Sequence, residues 1–185
     1  MIFRAVEDAD LIHKARGGDV ESYNLLISRW EKRVYNYLLR IVGDREEALD
    51  LSQDVFLKAY QNLRKLDDAE RFAPWLFRIA HNEAFSAFRK RRPETEVLGQ
   101  ESGGAEIAAG GPAFPIELSI AVATALEKLT DDQREAVILK VYQGFKFDEM
   151  AEILSCPVST VKSRLYSAFG ALKIQLAPVK SRGVT

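Results

Sequence analysis

Six polar side chains, Ser159, Thr160, Lys162, Ser163, Arg164 and Ser167, fall on one stretch near the C-terminus. Short hydroxyls mixed with two long cations and no carboxylate are suited to hydrogen-bonding base edges and phosphates. Such groups need a rigid mount, and the apolar residues between them supply it. Val158, Val161, Leu165, Ala168 and Leu172 recur at three- and four-residue spacing, which predicts an amphipathic helix starting near Pro157 to Ser159. Just upstream, Met150, Ala151, Ile153 and Leu154 mark one face of a shorter helix over Asp148 to Leu154. Ser155-Cys156-Pro157 separates the two, because proline lacks an N–H and is tolerated only in a helix's first turn. A helix-turn-helix follows. From Ser155 to Thr185 there are five cations and no acid, in a chain of net charge -1, which points to a polyanionic partner.

A second run with binding chemistry is Arg89-Lys90-Arg91-Arg92, at the end of a helix carrying Phe72, Trp75, Phe85 and Phe88. Cations suit a helix C-terminus, but four in a row exceed what the macrodipole needs, and a phosphate backbone would relieve their mutual repulsion. Aromatics beside cations are what unpaired bases stack upon, although most of these rings must serve the core of so small a helical domain. A third feature is the outer face of the preceding helix, where Asp50, Gln53 and Asp54 sit beside Leu51 and Phe56. Two readings are open for it: a solvated face with some apolar spill, or a partner-binding surface.

Composition narrows the classes. One cysteine, Cys156, rules out an internal disulfide, and with only His13 and His81 beside it no metal-ligand spacing exists. There is no glycine-rich phosphate loop and no nucleophile elbow, so neither a catalytic residue nor a cofactor is expected. No apolar run reaches a membrane span, and the charged N-terminus does not fit a signal peptide, so a cytoplasmic protein is expected. Charge is segregated: Pro93 to Gln133 holds eight acids against Lys128 alone.

Taken in order, the chain reads as all-α. Asp8 is positioned to cap a short helix ended by Gly17-Gly18, and Asp19 caps a long one closed by Gly43. Asp44 and Glu47 start a third helix to about Leu63, and Pro74 keeps the next from beginning before about Glu70. Residues 94–115, with five glycines, two prolines and four glutamates, read as a flexible acidic linker. Its 22 residues span about 25 Å on average and at most about 75 Å. Beyond it come a helix from about Ile116, a Thr130–Gln133 capping box opening a helix to Gly144, and the helix-turn-helix. The expected organisation is two small helical domains, 1–93 and 116–177, with a tail at 178–185. No internal repeat is visible.

Together, GDVESYNLLISRW, DREEALDLSQDVFLKAY, RFAPWLFRIAHN, LTDDQREAVILKVYQGFKFDEMAEIL and STVKSRL resemble, in order, an extracytoplasmic-function sigma factor of the sigma-70 family. The resemblance covers nearly all of the chain outside the linker. It implies a sigma-2-like bundle and a sigma-4-like helix-turn-helix domain that bind core RNA polymerase and direct it to promoter DNA. On the matching positions Asp50, Leu51, Gln53, Asp54 and Phe56 would dock on the polymerase. Lys65, Asp67, Asp68, Asn82, Ser86, Arg89, Lys90, Arg91 and Arg92 would recognise and open the minus-10 element. Ser159, Thr160, Lys162, Ser163, Arg164 and Ser167 would serve the minus-35 element, and the linker would pass through the RNA channel. The resemblance implies no catalysis and regulation by a separate anti-sigma factor in an extracytoplasmic or stress response. Ser86 stands where the family often has aspartate. Ser155 and Ser159 replace usual glycines, and Tyr166 to Gly170 replaces a stretch often rich in arginine.

Overall fold

The computed structural model describes residues 6–91 and 116–180, with side chains described throughout except at 91, 116–119 and 178–180. Those residues form eight α-helices and no strand: α1 (Asp8–Arg16), α2 (Val20–Val42), α3 (Arg45–Asn62), α4 (Phe72–Arg91), α5 (Ile116–Glu127), α6 (Asp131–Val137), α7 (Phe147–Leu154) and α8 (Val158–Lys180). Two short 3-10 turns, Leu63–Lys65 and Ala69–Arg71, lead from α3 into α4. The linker lies outside the described residues.

Local chemistry explains most boundaries. The Asp19 carboxylate accepts from the N–H of Glu21 at 3.1 Å and of Ser22 at 3.4 Å, satisfying donors at the start of α2. Gly43, at φ 76°, ends α2 by donating to the Leu39 carbonyl, a turn that glycine takes without steric penalty. Asp44 caps α3 through the Glu47 N–H at 2.8 Å. Thr130 and Gln133 form a reciprocal capping box on α6, each bond 3.3 Å.

Asp8 behaves differently from expectation. It lies inside α1, whose N-cap is Glu7, and its carboxylate instead reaches Arg29 at 2.6 Å and the Trp30 indole N–H at 2.8 Å. The acid therefore ties α1 to α2. Expectation also differs after Val137, where the predicted single helix widens into a π-turn over Ile138–Tyr142, with Gln143 N–H bonded to the Ile138 carbonyl. Gly144, at φ 77°, then reverses the chain.

Ser155, which stands where the resembling family usually has glycine, ends α7 at φ 51°, in the left-handed conformation. Its N–H bonds to Glu152 and that of Cys156 to Ala151, the paired bonds of a Schellman motif. A side chain in that conformation costs roughly 1 kcal/mol relative to glycine. Ser155→Gly is thus expected to raise the melting temperature by a few degrees; an unchanged or lowered value would mean that the serine is locally compensated.

The core of the first domain runs along Leu26, Val34, Leu38, Val55, Leu76 and Phe77, all buried. That of the second uses Ile138, Leu139, Met150, Ile153, Val161 and Leu165. The two cores join, since α4 packs on α7 and α2 approaches α6 and the π-turn. At the junction the Phe77 and Phe145 rings meet edge-on at 4.9 Å, and Arg33 donates to the Gln143 carbonyl at 2.9 Å. Burial lowers the pKa of Arg33, whose guanidinium also stacks 4.7 Å from the Trp30 ring.

Candidate nucleic-acid interfaces and docking groove

α8 is amphipathic, as the spacing of its apolar residues predicts. Val161, Leu165 and Ala168 are buried, while Ser159, Lys162, Ser163 and Ser167 are exposed and Thr160 and Arg164 half-buried. Asp132 on α6 pairs with Arg164 at 2.9 Å, fixing the guanidinium on the helix surface. The Lys162 ammonium lies 5.4 Å from the Phe147 ring. Cys156 is half-buried in the turn; burial raises its thiol pKa, the behaviour of a packing residue rather than a reactive thiol.

In the first domain, Lys65, Asp67 and Asp68 are exposed on the connection between α3 and α4. Two devices hold that connection in place. Arg16 donates to the carbonyls of Leu63, at 3.1 Å, and Leu66, while Asp68 caps the turn through the Glu70 N–H at 3.0 Å. Beside it opens a pocket of about 220 Å3 walled by Asp67, Asp68, Pro74, Trp75 and Arg78. Further along α4, Asn82, Arg89 and Lys90 are exposed, and Ser86 accepts from Arg89 at 3.3 Å. Trp75, Arg78, Asn82, Ser86 and Arg89 share a stripe of α4 at helical spacing. The Arg91 side chain and Arg92 lie outside the described residues.

The outer face of α3 needs a correction. Leu51 and Phe56 are each only 8% exposed and belong to the core; the Phe56 carbonyl accepts from Tyr23 Oη at 2.5 Å. Asp50, Gln53 and Asp54 are exposed, and their apolar companions are Leu49 and Leu57, at 52% and 56% exposure. The signal was present as the spacing Leu49, Gln53, Leu57, one helical step away from the inner stripe of Ala48, Val55 and Ala59. With Val20 and Tyr60, these side chains border a groove of about 850 Å3 between α2 and α3, floored by Ile27 and Phe56. Four large apolar residues exposed around one groove form the kind of contiguous patch that marks a protein partner's seat.

One polar cluster has no counterpart in the sequence reading. Glu135 on α6 is 1% exposed; its Oε1 accepts from Tyr37 Oη of α2 at 2.5 Å and lies 2.8 Å from His81 Nδ1 of α4. The acid's other oxygen is buried with no protein partner among the described residues. Burial, with the acid beside it, pushes the Tyr37 phenol well above its usual pKa. Nearby, Arg71 pairs with Glu152 and with Asp148, at 3.5 Å for the latter, both on α7. The guanidinium pKa is raised by these partners, Glu152 foremost.

Fold and surfaces define the class: an all-helical protein of two domains, the second built around a helix-turn-helix. Residues 26–94 match Sigma-70 region 2 and residues 119–172 match Sigma-70 region 4. The chain is similar to the ECF RNA polymerase sigma-E factor of Escherichia coli strain K12, at 32% identity over 95% of this chain and 97% of that one. It is also similar to the RNA polymerase sigma-H factor of Pseudomonas aeruginosa, at 29% identity over 94% and 95%. Among solved structures, the sigma factor RpoE in complex with the anti-sigma factor NepR from Bartonella quintana matches with a TM-score of 0.71 and 26% identity, over 85% of this chain and 98% of that one. CnrH, in complex with the cytosolic domain of CnrY, shares the fold with a TM-score of 0.69 and 24% identity, over 92% and 97%. The chain belongs to the sigma-70 family of RNA polymerase sigma factors, in its extracytoplasmic-function group. Among the described residues no helix is long and apolar enough to cross a membrane, and no group of His, Cys, Asp and Glu is arranged to hold a metal ion.

Proposed function

We propose that this sigma factor acts as a promoter-specificity subunit without chemistry of its own, the core polymerase performing phosphodiester formation. The observation that carries the reading is the apolar groove between α2 and α3, which Gln53 lines, with Asp50 and Asp54 exposed on the same helix. A repressor acting alone has no use for such a groove. In this reading core polymerase lays a helix into it, helix-in-groove fashion, with the three polar side chains fixing register.

The minus-10 element runs along α4. Lys65, Asn82, Ser86, Arg89, Lys90, Arg91 and Arg92 meet its backbone, and Asp67 or Asp68 accepts from an exocyclic amine of a base turned toward the Trp75 pocket. The minus-35 element takes α8 in its major groove, contacted by Ser159, Thr160, Lys162, Ser163, Arg164 and Ser167. The working domains are 1–93, 116–177 and the intervening acidic linker, with 178–185 as a tail. Control comes from an anti-sigma factor that covers the docking surfaces, as the complex of the Bartonella relative suggests by analogy.

Run-off transcription from pooled genomic fragments tests this, using bacterial core polymerase with wild-type protein or Gln53→Ala/Asp54→Ala. Specific transcripts that need the protein and fall at least about tenfold with the variant are expected, the equivalent of about 1.4 kcal/mol. If the protein binds DNA by itself but gives core polymerase no promoter activity, the reading fails in favour of an independent regulator.

A further inference from the structure

Two adjacent acids open α6, and they turn to different partners. Asp131 pairs with Arg134 on its own helix at 2.7 Å, whereas Asp132 reaches across to Arg164 of α8, Oδ2 to Nη2 at 2.9 Å. Thr130 and Gln133 cap the helix with each other and use neither carboxylate. Asp132 is half exposed and the Arg164 side chain 29% exposed, so the pair flanks the face that carries Ser163 and Ser167. Lys162 is braced similarly, its ammonium 5.4 Å from the Phe147 ring of α7. Both cations that α8 carries between Ser159 and Ser167 are thus held from outside the helix.

We propose that Asp132 is a positioning residue for promoter recognition: it holds the Arg164 guanidinium as a reader of one base pair of the minus-35 element instead of a clamp on the nearest phosphate. The inference rests on the minus-35 reading of α8. Arg164 lies in the first two turns of α8, the part of a recognition helix that meets base edges. A guanidinium reads guanine through two parallel N–H bonds to O6 and N7, and that match requires the plane of its fork to be fixed. An unrestrained cation beside DNA falls on phosphates, which are charged and carry no sequence. The carboxylate on α6 changes that balance twice. It orders the guanidinium before DNA arrives, so less side-chain freedom is lost on binding. It also offsets the cation's charge, which weakens the pull of a phosphate more than that of a neutral base. A surface pair of this kind contributes little to folding stability, and its effect is on where the guanidinium points.

The test uses core polymerase and the full-length chain on a promoter found by the run-off experiment above, with its upstream region randomised and a barcode in the transcribed part. Sequencing the transcripts gives the base preference at each upstream position for wild type, Arg164→Ala, Asp132→Asn and Asp132→Glu. Arg164→Ala is expected to lose at least about fivefold of the preference at one base pair. Asp132→Asn, which keeps both the arginine and the α6 cap, should lose at least about threefold at that same base pair and leave the other positions unchanged. Asp132→Glu returns the carboxylate and should restore the preference. A packing defect or a general change of charge scales all positions together, so the single-position loss is the deciding readout. Full preference in Asp132→Asn at the position that Arg164→Ala loses, or an even change at every position, would overturn the positioning role. If Arg164→Ala lowers output evenly whatever the upstream sequence, Arg164 is a phosphate contact and the inference falls while the minus-35 reading stands. A wild-type profile that is flat across the whole upstream region would overturn the minus-35 reading itself, and the inference with it.

Discussion

Leu49→Asp/Leu57→Asp is expected to weaken binding of core polymerase by at least a hundredfold while leaving the fold intact. The direction follows from where the two side chains stand. Each is a little over half exposed in the free protein, so substitution creates no cavity and the helix keeps its inner stripe of Ala48, Leu51, Val55 and Ala59. Under a docked partner helix each leucine would bury its remaining surface, a loss of about 1 kcal/mol apiece at roughly 25 cal/mol per Å2. Introduced carboxylates add the larger effect, because they must either lose solvent under the partner or hold it off; each unpaired charge at a dry interface costs several kcal/mol. The sum exceeds the roughly 2.7 kcal/mol that a hundredfold change requires. Titration of fluorescently labelled core polymerase reads the affinity, and circular dichroism with a melting curve reads the fold. Unchanged affinity with an intact fold would mean that the groove is not the polymerase seat.

The groove also shows what the sequence could and could not supply. Helix ends were legible wherever a side chain or backbone angle is dictated locally: Asp19, Gly43, Asp44 and the Thr130–Gln133 box all depend on neighbours within five residues. α8 was legible for the same reason, since 3.6-residue periodicity alone separates Val161, Leu165 and Ala168 from the hydroxyls. Assigning an outer face on α3 needs more, because apolar residues lie on both sides of that helix. Leu51 and Leu49 differ by two positions and little chemistry, and only the packing of neighbouring helices decides which one is buried. Ile138–Tyr142 holds neither glycine nor proline, so nothing in its composition announces a π-turn. The Glu135 cluster was least legible of all. It joins residues 98 and 54 positions apart, and a glutamate in an amphipathic helix ordinarily faces water.

Phe77→Ala is expected to lower stability by about 3–5 kcal/mol, the cost of emptying a fully buried aromatic site. Against a total of about 5–15 kcal/mol this is a large fraction, and for a protein of this size it corresponds to a melting temperature roughly 10 °C lower. The ring's position gives the measurement a second use. Phe77 touches Tyr37 at 5.2 Å within its own domain and Phe145 at 4.9 Å across the junction, so its loss is felt on both sides. Phe145→Ala alone should also destabilise, since that ring is 4% exposed. If the domains close in solution as they do here, the double variant should cost less than the sum of the singles by about 0.5–1.5 kcal/mol, the range measured for edge-on aromatic pairs. Urea denaturation of the four proteins supplies the cycle. Strict additivity would mean that the rings do not meet in the free protein. Coupling within that range would instead make the junction part of one cooperative unit. The polymerase or an anti-sigma factor would then have to supply or withhold the energy that separates the two domains.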